Sequence, residues 1–175
     1  MNSQIIVVDD FYDVAYQYHK SFDECECNIT DETIGKIEQI LGHPIKIVHA
    51  SNENVKSSGV MAHLECDWIA VIYMSLPLET FGEMGIRFYS HLSTGLETFP
   101  SKKEILKHKI NENELIKVFS SDIKLWKEYG CIPAKYNRMV LFRGNRWHSY
   151  NLNNNDIKYQ KIIIKKCLVH EELLD

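Results

Sequence analysis

The apolar positions of this chain change their period along its length. Ile5-Ile6-Val7-Val8 is a short apolar run that predicts a first strand. Asp13 is placed to cap a helix reaching about Phe22. From Thr30 to Leu41 the residues Ile34, Ile37, Ile40 and Leu41 fall on one face of a second helix, which Gly42 and Pro44 close. Ile45–Val48 returns to strand spacing, and Ser51–Gly59 predicts a long crossing. Beyond residue 60 short strands dominate: Trp68–Met74, Ile86–His91, Arg138–Phe142, Arg146–Tyr150 and Lys158–Val169. The turn Arg143-Gly144-Asn145 and the polar loop Asn151–Asp156 separate the last three. Pro100–Tyr129 reads as a helical insert with an apolar stripe of Leu106, Ile110, Leu115, Val118 and Trp126. Short strands with helices on one side predict a single α+β domain over residues 1–175, mainly β with flanking helices. The predicted arrangement is a jelly-roll or cupin-like barrel, with N-terminal helices over about 13–42 and the insert over about 100–129.

Composition narrows the class. At 175 residues, 45% hydrophobic and 25% charged, the chain can bury one sizeable core. Its net charge of -4 and pI near 6.1 give no basic footprint, which argues against a nucleic-acid partner. No run approaches the length of a membrane span, so no membrane partner is expected. The opening, apolar and then Asp9-Asp10, reads as a strand rather than a signal peptide, which makes a cytoplasmic location the expectation. Five cysteines without repeated spacing argue against a disulfide framework, and Cys25-Glu26-Cys27 lacks a second Cys/His pair that would make it a zinc site. Sixteen lysines stand against four arginines, and Ile and Asn are plentiful, as in proteins of AT-rich bacteria or phages. That usage singles out Arg138, Arg143 and Arg146, three of the four arginines within nine residues.

The segment Val60-Met61-Ala62-His63-Leu64-Glu65-Cys66-Asp67-Trp68 carries the candidate chemistry. In a strand, residues two apart share a face, so His63 and Glu65 are expected to project together towards one metal. A third ligand from a distant strand makes two histidines and one carboxylate, a set that leaves coordination positions open. His148, just past the turn at Gly144-Asn145, is the histidine placed for that role, and Asp67 is the substitute carboxylate. On the strand parity of Lys158–Val169, Lys158 shares a side with Gln160, Ile162 and Ile164, whereas Lys161 and Lys165 share the other and are expected in solvent. A buried Lys158 needs an anionic partner, which a dicarboxylate ligand supplies. Tyr73, with Ile69 and Val71, is expected to line the pocket and hydrogen-bond that ligand, and Arg138 is the next cation in line. His91, with Arg87 and Tyr89, is either a substrate contact or exterior surface.

The stretch from His63 to Met74 resembles the iron-site strand of the iron(II)/2-oxoglutarate-dependent dioxygenase superfamily. Gly85–His91 and Tyr136–Ser149 are similar to segments of a poorly characterised bacterial and phage group within it, as is the opening Val7–Asp13. The resemblance implies a double-stranded β-helix, Fe(II) and 2-oxoglutarate as cosubstrate. It also implies oxidation, most often hydroxylation, of a second substrate coupled to conversion of 2-oxoglutarate to succinate. It implies His63, Glu65 and His148 as metal ligands, with Glu65 where Asp is commoner, and Lys158 where Arg is commoner. The expected partner is a small-molecule or peptide substrate, shaped for by Leu76–Gly85 and Pro100–Tyr129, and a phage member would act in the host cytoplasm. Two alternatives stay open: a cupin-like metal- or ligand-binding module without turnover, and a structural protein that kept the fold.

Overall fold

The computed structural model describes residues 4–13, 29–53, 59–74, 84–110, 123–151 and 158–167. Eight strands form two antiparallel sheets. β1 (Ile5–Val8), β2 (Ile45–Glu53), β3 (Trp68–Tyr73), β6 (Met139–Arg143) and β8 (Tyr159–Lys166) make the larger one, in the order β1-β6-β3-β8-β2. β4 (Gly85–His91), β5 (Trp126–Pro133) and β7 (His148–Asn151) make the smaller, in the order β5-β4-β7. The sheets share no ladder, so the described residues form two facing sheets rather than a closed barrel. Among them, no helix is long and apolar enough to cross a membrane.

β3, Trp-Ile-Ala-Val-Ile-Tyr, is buried at every position because it is central and covered on both faces. Its odd residues, Ile69, Val71 and Tyr73, pack with Val140, Phe142, Tyr159 and Ile163 against Ile86, Phe88 and Tyr150 of the smaller sheet. Its even residues, Trp68, Ala70, Ile72 and Met74, face the other way with Leu141, Ile162 and Ile164, onto Phe11, Tyr12 and Ile37. Ile37 belongs to α1 (Asp31–Leu41), whose N-cap Thr30 accepts a hydrogen bond from the Thr33 amide. The helix ends where Gly42 adopts φ 73° and returns its N–H to the Glu38 carbonyl. Tyr12 ties the N-terminal segment down: its hydroxyl donates to Gln160 of β8 at 3.0 Å, and its backbone exchanges two hydrogen bonds with the Asn137 side chain.

Further expectations change. β2 runs on to Glu53, through the first residues of the expected crossing at Ser51–Gly59, because Ser51, Asn52 and Glu53 pair with β8. The chain does not run as an unbroken strand from His63. Met61 makes an isolated bridge to His148, residues 62–67 bend, and β3 starts at Trp68. The insert is only partly helical: α2 (Lys102–His108) is a capped helix with no buried residue, and Trp126 opens β5 instead of continuing a stripe. Pairing along β4 over Gly85–His91 overrides helical spacing there. The helix placed at 13–22, Cys25, Cys27, residues 111–122 and most of the 76–85 loop lie outside the described residues.

Two glycines give opposite expectations. Gly35 sits inside α1 with open space where a Cβ would stand, so Gly35→Ala should stabilise by about 0.5–1 kcal/mol through helix propensity. A Cβ at Gly85 would lie 2.1 Å from the Ile132 carbonyl oxygen, within the β4–β5 ladder, so Gly85→Ala should destabilise by about 1–3 kcal/mol. Denaturant midpoints of the two variants should move in opposite directions. Equal or reversed shifts would mean that β5 does not approach β4 at Gly85.

Candidate metal centre

Met61 and His148 exchange backbone hydrogen bonds of 2.8 and 2.9 Å. Two residues on, the His63 amide donates to the Gly144 carbonyl at 2.7 Å, and the Gly144 amide donates back to Asp67 at 3.1 Å. These bonds stitch the bent 61–67 connection to the β6–β7 turn and bring two histidines, 85 positions apart in the chain, side by side. Their ring centroids are 5.7 Å apart and nearly parallel, at 28°.

The two imidazoles are held differently. His148 is fully buried, and its Nδ1 donates to the Arg146 carbonyl at 2.8 Å. A carbonyl can only accept, so this bond fixes the proton on Nδ1 and leaves the lone pair on Nε2. Burial pushes the His148 pKa down to about 3, which keeps the ring neutral. His63 is mostly buried, and its Nδ1 lies 3.0 Å from Glu65 Oε1. Burial alone would raise the Glu65 pKa, but hydrogen bonds from its own backbone and from His63 outweigh this and hold it below the ordinary value. The Nε2 atoms of both rings are buried without a hydrogen-bond partner among the described residues.

Glu65 itself is 60% exposed, and among the described residues no three His, Cys, Asp or Glu side chains converge. Its carboxylate stands on the Nδ1 side of His63 rather than between the rings. Asp67 is engaged elsewhere: its carboxylate accepts the Lys166 amide at 2.9 Å and caps the end of β8. Cys66 is buried nearby, and burial pushes its thiol up to about 11, so it stays protonated.

Below the histidines the inner core is lined by tyrosines. The rings of His148 and Tyr150 are 5.5 Å apart, those of Tyr150 and Tyr159 5.4 Å, and those of Tyr159 and Tyr73 6.3 Å. Burial raises all three phenol pKa values, so each hydroxyl keeps its proton. The Tyr73 hydroxyl, near the Ile86 backbone, has no hydrogen bond of ordinary length.

Beside these tyrosines stands Lys161. Register pairs it with Val71 and with Ser51, both on the inner side, and its side chain is 12% exposed with Nζ 5.7 Å from the Tyr150 ring centroid. A loose 3.9 Å contact with Glu53, which also accepts from Tyr159 and Ser51, is its ion pair. The expectation of a solvated Lys161 is thereby corrected. Lys158 continues the side of Gln160, Ile162 and Ile164, as parity predicts, but that side packs towards α1. Both sides of β8 are apolar, so parity alone could not tell which one faces the histidines. Arg138 is held by Asp9 at 2.6 and 3.0 Å and by the Pro133 carbonyl, away from the histidine pair. Arg87 pairs with Glu128, and the Tyr89 hydroxyl meets Ser149 at 3.0 Å on the opposite face of the smaller sheet. His91 packs on Trp126, with centroids 5.2 Å apart. Tyr150 was detectable in the sequence, since it shares the parity of His148.

The model of a family of unknown function, DUF6445, matches residues 62–161. No curated protein matches the chain in sequence. Among solved structures the chain is similar to HygX from Streptomyces hygroscopicus. Against HygX with iron bound, the TM-score is 0.51 at 8% identity, covering 95% of this chain and 83% of that one. Against HygX with nickel and 2-oxoglutarate it is 0.53 at 9% identity, covering 95% and 84%. With nickel, 2-oxoglutarate and hygromycin B bound to HygX it is 0.53 at 8%, with the same coverage. At such identity the likeness is one of fold.

Gly144 tests the geometry of the corner. A Cβ there would meet Cys66 Sγ at 2.5 Å and the carbonyl oxygens of Cys66 and His63 at 2.8 Å. Gly144→Ala should lower stability by about 1–3 kcal/mol and perturb the His63 imidazole resonances far more than those of His43. Adding Cys66→Ala should not restore them, because both carbonyls remain. An unperturbed His63 spectrum would show that the turn and the connection do not pack this closely.

Proposed function

The chain belongs to DUF6445, a family of unknown function, so its activity has to be read from the site, and we propose that it is an iron(II)- and 2-oxoglutarate-dependent oxygenase. One observation carries the reading: two imidazoles 5.7 Å apart, each with a buried Nε2 that no protein group satisfies. Two unpartnered nitrogen lone pairs in one buried place suit a divalent transition metal. The hydrogen bonds on the opposite nitrogens, to the Arg146 carbonyl and to Glu65, are of the kind that orient metal-binding histidines. Glu65, anionic and held through that single side-chain bond, is the third ligand in this reading, and to reach a metal at Nε2 it has to leave His63 Nδ1.

The topology supports the same assignment. Counting the Met61 bridge as a short strand, the chain alternates between sheets from β2 onward except at β4 and β5, which both lie in the smaller one: large, small, large, small, small, large, small, large. Such an order suits the winding of a double-stranded β-helix, with His63 two residues beyond the Met61 bridge and His148 at the start of β7. HygX, of similar fold, binds iron, nickel and 2-oxoglutarate.

Bound iron(II) would supply the oxidation with dioxygen as the four-electron oxidant: one oxygen atom would enter succinate as 2-oxoglutarate loses carbon dioxide, and the other would enter the second substrate. The chain's own residues do the positioning. In this reading Lys161 pairs with the distal carboxylate of 2-oxoglutarate, and the Tyr73 hydroxyl, which keeps its proton, is a hydrogen-bond donor on the same inner face. Val71, Val140 and Phe142 keep that space free of bulk water, which strengthens each polar contact within it. The substrate is a small molecule or peptide, and hydroxylation is the expected outcome. A metal-binding module without turnover is the second reading, favoured by the position of Glu65 outside the space between the rings.

Anaerobic addition of iron(II) and 2-oxoglutarate should produce a weak visible charge-transfer band, and turnover should release succinate. His63→Ala and His148→Ala should each lose stoichiometric metal after dialysis, whereas His43→Ala and His108→Ala should keep it. Lys161→Met should weaken 2-oxoglutarate binding by about ten- to a hundredfold, the loss of one charged hydrogen bond of about 1.5–3 kcal/mol. Lys158→Met should change it little. Full metal occupancy in His148→Ala would overturn the centre, and metal binding without succinate would favour the module.

A further inference from the structure

Arg146 is the group on the inner side of the smaller sheet that this function leaves unexplained. It is 1% exposed and lies two residues before His148, in the line Arg146, His148, Tyr150. Its Nη1 donates to Glu97 at 3.3 Å and to the Tyr129 hydroxyl, and its guanidinium carbon is 5.9 Å from the ring centroids of both Phe88 and Tyr129. The other edge of the guanidinium, Nε and Nη2, is buried with no hydrogen-bond partner among the described residues. Glu97 does not complete it, being 46% exposed and touching only Nη1.

That open edge presents two parallel N–H donors, the fork that matches the two oxygens of a carboxylate. A fixed cation enclosed by aromatic rings, with one edge unmet by the protein, calls for an anion from outside the chain. Its place separates it from the proposed cosubstrate site. Along β7, Tyr150 and Lys161 lie on one side of His148 and Arg146 lies on the other. Phe88 and Phe142, 5.3 Å apart, connect the Arg146 end to His148, whose ring is 4.8 Å from Phe142. Tyr129, 40% exposed, brings the Arg146 end to the surface.

We propose that Arg146 anchors a carboxylate of the prime substrate, so that the enzyme acts on a carboxylate-bearing small molecule such as an amino acid or another organic acid. The assignment rests on the oxygenase reading for its biological sense, but the carboxylate site itself can be measured without it.

The chain has four arginines, so the full-length protein labelled with 15N-arginine gives few Nε–H signals. That of Arg146 is identified by its contacts with the Tyr129 ring and by its absence in R146K. Sodium propionate is titrated into the protein alone, and then into protein saturated with zinc and 2-oxoglutarate, with neutral propionamide as control. Propionate should move the Arg146 Nε–H signal saturably in both states, propionamide should not, and R146K, followed through the Tyr129 ring signals, should bind propionate at least tenfold more weakly. No saturable shift in the unmutated protein would overturn the proposal, whether or not R146K folds. So would a 2-oxoglutarate-induced shift that abolishes the propionate response, which would hand Arg146 to the cosubstrate. If neither zinc nor 2-oxoglutarate binds while propionate still shifts the signal, the oxygenase reading falls and the carboxylate site stands.

Discussion

Met61 and His148 exchange both of their backbone hydrogen bonds, and from that doubled link the rest of the site takes its shape. It carries the connection leaving the smaller sheet directly alongside β7, and the His63–Gly144–Asp67 bonds then turn the chain into β3 of the larger sheet. Because these bonds join backbone to backbone, side-chain chemistry at positions 63 and 148 is free to serve something other than stability. Gly144 is the condition for this approach, since any Cβ there would meet two carbonyl oxygens.

The inner face of the sandwich differs from the outer one in what it leaves unmet. Between the larger sheet and α1, the polar groups of Tyr12, Thr33, Gln160 and Asn137 bond to one another and to the backbone. Between the two sheets, the Nε2 atoms of His63 and His148, the Tyr73 hydroxyl and one edge of Arg146 are buried without partners. Each such group costs about 1–3 kcal/mol relative to a satisfied one. Their concentration on one face of a chain otherwise well packed is the pattern expected where ligands complete the hydrogen-bonding.

Electrostatics divide that face in two. Lys161 and Arg146 stand on opposite sides of His148 along β7, one over Tyr150 and the other over Phe88 and Tyr129. Each has only a weak acidic partner, Glu53 at 3.9 Å and Glu97 at 3.3 Å. Neutral His148 between them adds no charge of its own, so the positive charge of this face stays at its two ends.

The sequence by itself determined the elements with strong local signals. α1 was readable from its apolar spacing and from Thr30 and Gly42, and β1, β3, β4, β6 and the start of β7 from short apolar runs bounded by turns. That His63 and His148 come side by side was also expected from the sequence, where one precedes a strand and the other follows a Gly-Asn turn. Tertiary structure decided the rest. Trp126 fitted a helical stripe until pairing with β4 made it the first residue of a strand. His63 and Glu65 were spaced for one strand face, but backbone bonds to Gly144 bend that segment and leave Glu65 largely in solvent. For β8 the period of two said that Lys158 and Lys161 lie on opposite sides. It could not say which side meets the histidines, because Ile162 and Ile164 on one and Tyr159 and Ile163 on the other are equally suited to burial. Only the register with Val71 and Ser51, a long-range pairing of backbones, turns Lys161 inward.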